Sequence, residues 1–180
     1  MKRSIVGLAA LGACLVVPTF ASAQEAGKIG VTMGFPTSVG IIWHATEKVA
    51  VRPEFTFTHS STDASGGETS STSFGTGVSV LFYAGKWDNA AAYFAPRFAW
   101  AHGHGESRGD SGILGAESSS DAYTFSGSFG AQGWIGSRFS VFGEVGLSFT
   151  DGSSETSFSN RDLETQSFGL RGGVGAVFYF

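Results

Sequence analysis

From Phe168 to Phe180 every second residue is apolar or glycine: Phe168, Leu170, Gly172, Val174, Ala176, Phe178 and Phe180. The residues between them, Ser167, Gly169, Arg171, Gly173, Gly175, Val177 and Tyr179, are smaller or more polar. A period of two held over that length specifies a strand with two chemically different faces. It exceeds an average soluble strand and suits a tilted span of a membrane barrel.

The pattern recurs upstream, and strands are predicted at about 28–35, 38–45, 48–59, 73–84, 89–102, 122–135, 139–150 and 167–180. One face of each is apolar, as in Val49, Val51, Pro53, Phe55 and Phe57, or in Phe139, Val141, Gly143, Val145, Leu147 and Phe149. The opposite faces hold Arg52, Glu54, Ser79, Tyr83, Tyr93, Arg97, Ser126, Ser128, Gln132, Ser140 and Glu144. Past the first residues no apolar run is long enough for a membrane helix. Short connections near 46–48, 86–88 and 136–138 alternate with long ones, rich in Ser, Thr, Gly and acids, at about 60–72, 103–121 and 151–166. The first connection of the long set, around Pro36-Thr37, is clipped to a tight turn. Short turns on one rim and long loops on the other predict an all-β, eight-stranded antiparallel up-and-down transmembrane β-barrel. An even strand count places both termini on the short-turn, periplasmic side.

Volume decides which face is outside. An eight-stranded barrel has an interior just wide enough for side chains to fill. More than a dozen aromatic side chains do not fit there, whereas Gly, Ser and Ala do. Depth agrees. Phe35, Phe57, Phe74, Trp100, Tyr123, Phe149 and Phe168 are expected at the long-loop rim, and Trp43, Phe82, Phe139, Phe178 and Phe180 at the short-turn rim. Mainly aliphatic residues lie between, such as Val31, Ile41, Val51, Val78, Val145 and Val174. Two aromatic girdles around an aliphatic band match the two faces of a bilayer.

Composition supports this reading. Charged residues are 14% of the chain, against roughly a quarter in soluble domains. Lys2 and Arg3, the apolar stretch Ile5–Val17 and Ala21-Ser22-Ala23 read as a secretory signal over residues 1–23, leaving 24–180 as one barrel domain. Leu11-Gly12-Ala13-Cys14 loosely resembles a lipoprotein cleavage box, but apolar residues follow the cysteine. Cys14 is the only cysteine, so the mature chain has no disulfide and no thiolate metal site. Removing two basic residues from a net charge of −4 gives −6, which argues against nucleic acid as a partner. No cofactor or metal motif is present.

Five charged residues are predicted to face the lumen: Arg52, Glu54, Arg97, Glu144 and Arg171. Opposed charges in a narrow, poorly hydrated space must pair, so an ion-pair cluster is expected there, with both glutamates as acceptors. It either plugs the barrel or gates a narrow, porin-like channel. Catalysis is a third reading. His102 and His104 lie above the fifth strand beside Glu106 and Ser107, and a nucleophilic site needs such a base within reach of a hydroxyl. Arg108-Gly109-Asp110 is an integrin-type tripeptide in the longest loop, and these residues suit any exposed turn.

The terminal segment Val174, Gly175, Ala176, Val177, Phe178, Tyr179 and Phe180 resembles the assembly signal that ends outer-membrane barrels. With the signal segment and eight strands, the mature chain resembles the small outer-membrane β-barrel family, which includes the OmpA barrel domain, OmpX, Ail and the opacity proteins. The resemblance implies an outer-membrane location in a Gram-negative cell. It implies the barrel-assembly machinery and periplasmic chaperones as partners during biogenesis, with Val174, Ala176, Phe178, Tyr179 and Phe180 read by the former. It further implies contact with outer-membrane lipid and lipopolysaccharide, and a host surface ligand for the loops. The chain is expected to be monomeric and not an enzyme, although some barrels of this size are lipid A deacylases with a His/Ser/acid triad. The peptidoglycan-binding domain of OmpA members is not expected, because the chain stops at its last strand. The expected role is structural or surface-interactive.

Overall fold

The computed structural model describes residues 25–35, 38–64, 67–109, 116–157 and 159–180. The expected signal segment, the tight turn expected at Pro36-Thr37 and Asp110 lie outside these residues. The described residues form eight strands and no helix: β1 Ile29–Phe35, β2 Ser38–His44, β3 Val49–Ala64, β4 Gly67–Trp87, β5 Ala90–Gly109, β6 Ala116–Trp134, β7 Phe139–Thr156 and β8 Ser159–Tyr179. Each pairs antiparallel with the next, and β8 pairs with β1 to close the ring.

The alternation sorts side chains as their volumes require. Phe55, Phe57, Phe125, Phe129, Val145, Leu147, Phe168 and Leu170 stand exposed on the outside. Ile42, Ala50, Leu81, Tyr83, Ala91, Tyr93, Ala95, Val177 and Tyr179 are buried inside. Two further aromatics, Trp134 and Phe142, pack against that core from within. In water the exposed set would be a continuous apolar belt far larger than a soluble surface tolerates. In hydrocarbon it is the solvated surface.

The strands are steeply inclined. Paired positions lead from Met33 through Val39, Phe55, Thr76, Trp100, Tyr123 and Asp151 to Gln166 on β8. Met33 itself pairs with Ala176, so one circuit climbs ten residues along β8. Ten residues at about 3.3 Å, gained over eight strand spacings of about 4.8 Å, set a tilt of about 40°. At that tilt Phe139 and Phe149 on β7 are about 25 Å apart along the axis, the height of an outer-membrane apolar band.

The long connections predicted at 60–72, 103–121 and 151–166 are not loops. They are largely strand: the β3–β4 ladder continues to Ala64 opposite Gly67, β5–β6 to Ser107 opposite Ala116, and β7–β8 to Thr156 opposite Ser159. Above the girdle both faces of a hairpin are wet, so no apolar alternation is required and the period disappears. The backbone still pairs across the hairpin, and Ser60 faces Ser71, Ser61 faces Ser70 and Thr62 faces Thr69. The near ends fit the short-turn expectation. Gly136, at φ 83°, sits between β6 and β7 in a conformation that disfavours any side chain. Near this rim β4 carries a register shift between Tyr83 and Gly85, which moves the following turn to Asp88-Asn89.

The wall is uneven. The β1–β2 hairpin ends at Phe35 and Ser38, while its neighbours continue upward. The last β2–β3 partner on β3 is Phe55, and the last β1–β8 partner on β8 is Val174. Thr56–Ala64 of β3 and Ser159–Gly173 of β8 therefore face a notch with no strand between them among the described residues. Phe35 ends roughly 12 Å below Phe168 along the axis, so the notch reaches below the outer girdle.

Candidate functional site: the barrel lumen

The lumen is filled in two connected layers. The lower one is aromatic and amide. The Tyr83 hydroxyl donates to Gln132 Oε1 at 2.8 Å, and Gln132 Nε2 donates to Tyr179 Oη at 2.7 Å and Ser140 Oγ at 2.6 Å. His44 Nε2 lies 3.3 Å from Tyr179 Oη, and its ring stacks on Tyr83 at 5.5 Å. Gln132, Ser140, His44 and Tyr179 are essentially inaccessible. Lys28 closes the bottom with Nζ 5.1 Å from the centre of the Tyr179 ring.

Tyr93 joins the layers. Its ring lies 5.5 Å from Tyr83, and its hydroxyl donates to Glu144 Oε1 at 2.9 Å. Gly130 opposite it has no alternative residue without rearrangement, since an added Cβ would stand 2.4 Å from Tyr93 Cζ.

The upper layer is ionic. Arg52 donates from Nη2 to Glu144 Oε1 at 2.6 Å, and its Nε lies 3.2 Å from Glu54 Oε1. Arg97 Nη2 lies 3.1 Å from Glu54 Oε2. The Arg52 guanidinium also sits 4.8 Å over the Phe142 ring. The two contacts to Glu54 are close but poorly aligned, and Arg52 Nε, Glu54 Oε2 and Arg97 Nε make no hydrogen bond among the described residues. The attraction there is mostly coulombic, in surroundings where water screens little.

Four of the five predicted lumen charges thus meet, with Glu54 and Glu144 as acceptors. Arg171 differs. Its Nη1 donates to Ser126 Oγ at 3.1 Å, and no carboxylate lies within ion-pair distance among the described residues.

The predicted girdle residues Trp43, Phe57, Phe74, Phe82, Tyr123, Phe139, Phe149 and Phe168 are exposed on the outer face. Phe35 is exposed too but lies roughly 12 Å below Phe168 instead of at the long-loop rim, because the first hairpin is short. Trp100 is half-buried, with its ring edge-on to Phe74 and its Nε1 donating to Asp121 at 3.2 Å. In the terminal segment Val174, Phe178 and Phe180 face outward, whereas Tyr179 belongs to the lumen plug.

Above the girdle His102 Nδ1 is 3.1 Å from Asp121 Oδ1, and His104 Nε2 is 3.5 Å from Glu106 Oε1. No hydroxyl hydrogen-bonds the His102 ring among the described residues. Arg108 pairs with Glu106 at 3.2 Å, within β5. No group of three or more His, Cys, Asp or Glu suited to a metal occurs among the described residues.

No protein-family model matches the sequence, and no curated protein matches it. Among solved structures, the chain is similar to a major outer membrane protein from Thermus thermophilus, with a TM-score of 0.58 and 12% identity over 85% of this chain and 98% of that one. It superposes more loosely on CarO and CarO2 of Acinetobacter baumannii, with TM-scores of 0.44 and 0.43 at 12% and 14% identity, over 87% of this chain and 100% of each. The first likeness shows a shared barrel fold.

Proposed function

We propose that this chain is an integral outer-membrane barrel of a Gram-negative cell, with a sealed lumen, whose role is to support the envelope and to present three β-hairpins at the surface. On this reading both termini face the periplasm, the protein is monomeric, and it is not an enzyme. Barrel-assembly machinery would insert it by way of Val174, Ala176, Phe178, Tyr179 and Phe180. Membrane lipid and lipopolysaccharide would surround it, and a host surface ligand would meet the hairpins.

The observation that carries the sealed lumen is the continuous network from His44 through Tyr179, Gln132, Tyr83, Tyr93, Glu144, Arg52 and Glu54 to Arg97. It crosses the lumen with side chains that are buried or, at Arg97, nearly so, and a barrel of this strand number leaves little width beside them. A porin-like channel would need that network to part. A lipid A enzyme would need a hydroxyl at His102.

The test is refolded protein in a planar bilayer, with gel mobility before and after boiling as the measure of folding. A compact, heat-modifiable band with no single-channel steps is expected. Discrete conductance altered by Arg97→Gln would overturn the sealed lumen in favour of a channel. Loss of lipid A modification in a deletion strain, restored by the chain but not by His102→Ala, would establish an enzyme instead.

A further inference from the structure

Above the ionic layer lies a cavity of about 180 Å³, lined by Ser38, Thr56, Arg97, Phe142, Glu144 and Arg171 among others. Three of its properties belong together. First, its charge does not balance. Arg52, Arg97 and Arg171 line it against Glu54 and Glu144, an excess of one positive charge among the described residues. Second, donors are left over. Arg97 Nε is buried with no hydrogen bond, and Arg171 spends one of its five N–H donors on Ser126. A half-buried guanidinium without a counter-charge is costly in a space this narrow, so a mobile anion would lower its energy.

Third, the cavity reaches the notch. Its lining includes Thr56, one residue past the last β2–β3 partner, and Gly172 and Gly173, just past the last β1–β8 partner. The neighbouring strand edges carry backbone N–H and C=O groups with no strand partner, at the depth of the outer leaflet. Hydrocarbon cannot satisfy such groups, whereas a polar headgroup can. The two glycines leave the mouth open, since a Cβ on Gly172 would meet nothing nearer than 3.8 Å and one on Gly173 nothing nearer than 3.6 Å.

We propose that this cavity is a binding site for one phosphate group, held by Arg171 and Arg97 and reached sideways through the notch above the β1–β2 hairpin. The planar guanidinium fork suits a tetrahedral oxyanion and can hold it in bidentate fashion. The phosphate comes either from a lipid of the outer leaflet or from solution, and the notch favours the lipid.

The test compares the thermal midpoint of the refolded chain, read from heat-modifiable mobility, in three settings: detergent with inorganic phosphate, phosphatidylcholine vesicles, and the same vesicles containing phosphatidic acid. A ligand at ten times its dissociation constant raises the folding equilibrium about elevenfold. A rise with phosphatidic acid and none with inorganic phosphate identifies a lipid headgroup. A rise with both identifies a general phosphate site. In either case Arg171→Gln should abolish the rise, whereas Arg138→Gln, in the near-rim turn, should retain it. Gly173→Leu, which fills the cavity and leaves both arginines, should abolish it too. No rise in any setting, or a rise that survives Arg171→Gln and Gly173→Leu, would overturn the proposal.

Discussion

Arg52 and Glu144 face each other across the full width of the barrel, joined at 2.6 Å although they stand on β3 and β7, halfway round the ring from one another. The bridge ties two walls that share no ladder. Arg52→Met should therefore cost about 3–5 kcal/mol, because it leaves the buried Glu144 with no cation and Glu54 with Arg97 alone. Urea unfolding in lipid vesicles, followed by tryptophan fluorescence, measures it. Adding Glu144→Gln should recover part of the loss, so the double variant should be clearly more stable than the sum of the single costs implies. Strict additivity would show that the pair does not interact.

The fit of Tyr93 against Gly130 gives a second expectation. Gly130→Val should displace the ring, part its hydroxyl from Glu144 and cost about 2 kcal/mol or more. Gly143→Ala, where an added Cβ meets nothing nearer than 4.0 Å, should be close to neutral. The same unfolding measurement separates them, and equal costs would show that the lumen is not tightly packed there.

The inside-out arrangement is tested at two neighbouring heights. Val145 is 62% exposed on the outside, and arginine in its place should cost about 2–4 kcal/mol in a bilayer. Ser126→Ala, inside, should cost about 1 kcal/mol, the hydrogen bond from Arg171. A tolerated Val145→Arg would mean that this face does not meet lipid.

Hairpins that rise clear of the bilayer should be dispensable for folding. Deleting 61–70 and joining Ser60 to Ser71 through Asn-Gly keeps the ladder in register, because those serines are directly paired. The shortened chain should retain its heat-modifiable band. A chain that no longer refolds would assign the hairpin a part in the barrel's own stability.

The arrangement of strands and the facing of side chains were legible because lipid demands apolar residues at every second position. Where that demand lapses, so does the signal, and the Ser- and Thr-rich hairpins read as loops although their backbones pair throughout. The lumen was half legible. Parity placed Arg52, Glu54, Arg97 and Glu144 inside, and the same parity at Trp134 and Phe142 marks the inward aromatics that attention to outer girdles passes over. Arg171 shows the limit. Its height relative to either glutamate depends on a stagger that accumulates around the whole ring, and only the register supplies it.

The β3–β4 ladder runs from Val49 to Ala64, but β1 pairs over six positions on each side, Ile29–Gly34 against β2 and Gly30–Phe35 against β8, and β2 pairs with β3 only between Val39 and His44. A cylinder is no stronger than its briefest clasp. Thermal breathing costs least where the fewest backbone bonds must part, so transient opening is concentrated along the short first hairpin. The fold has a built-in soft sector, and the notch stands directly above it.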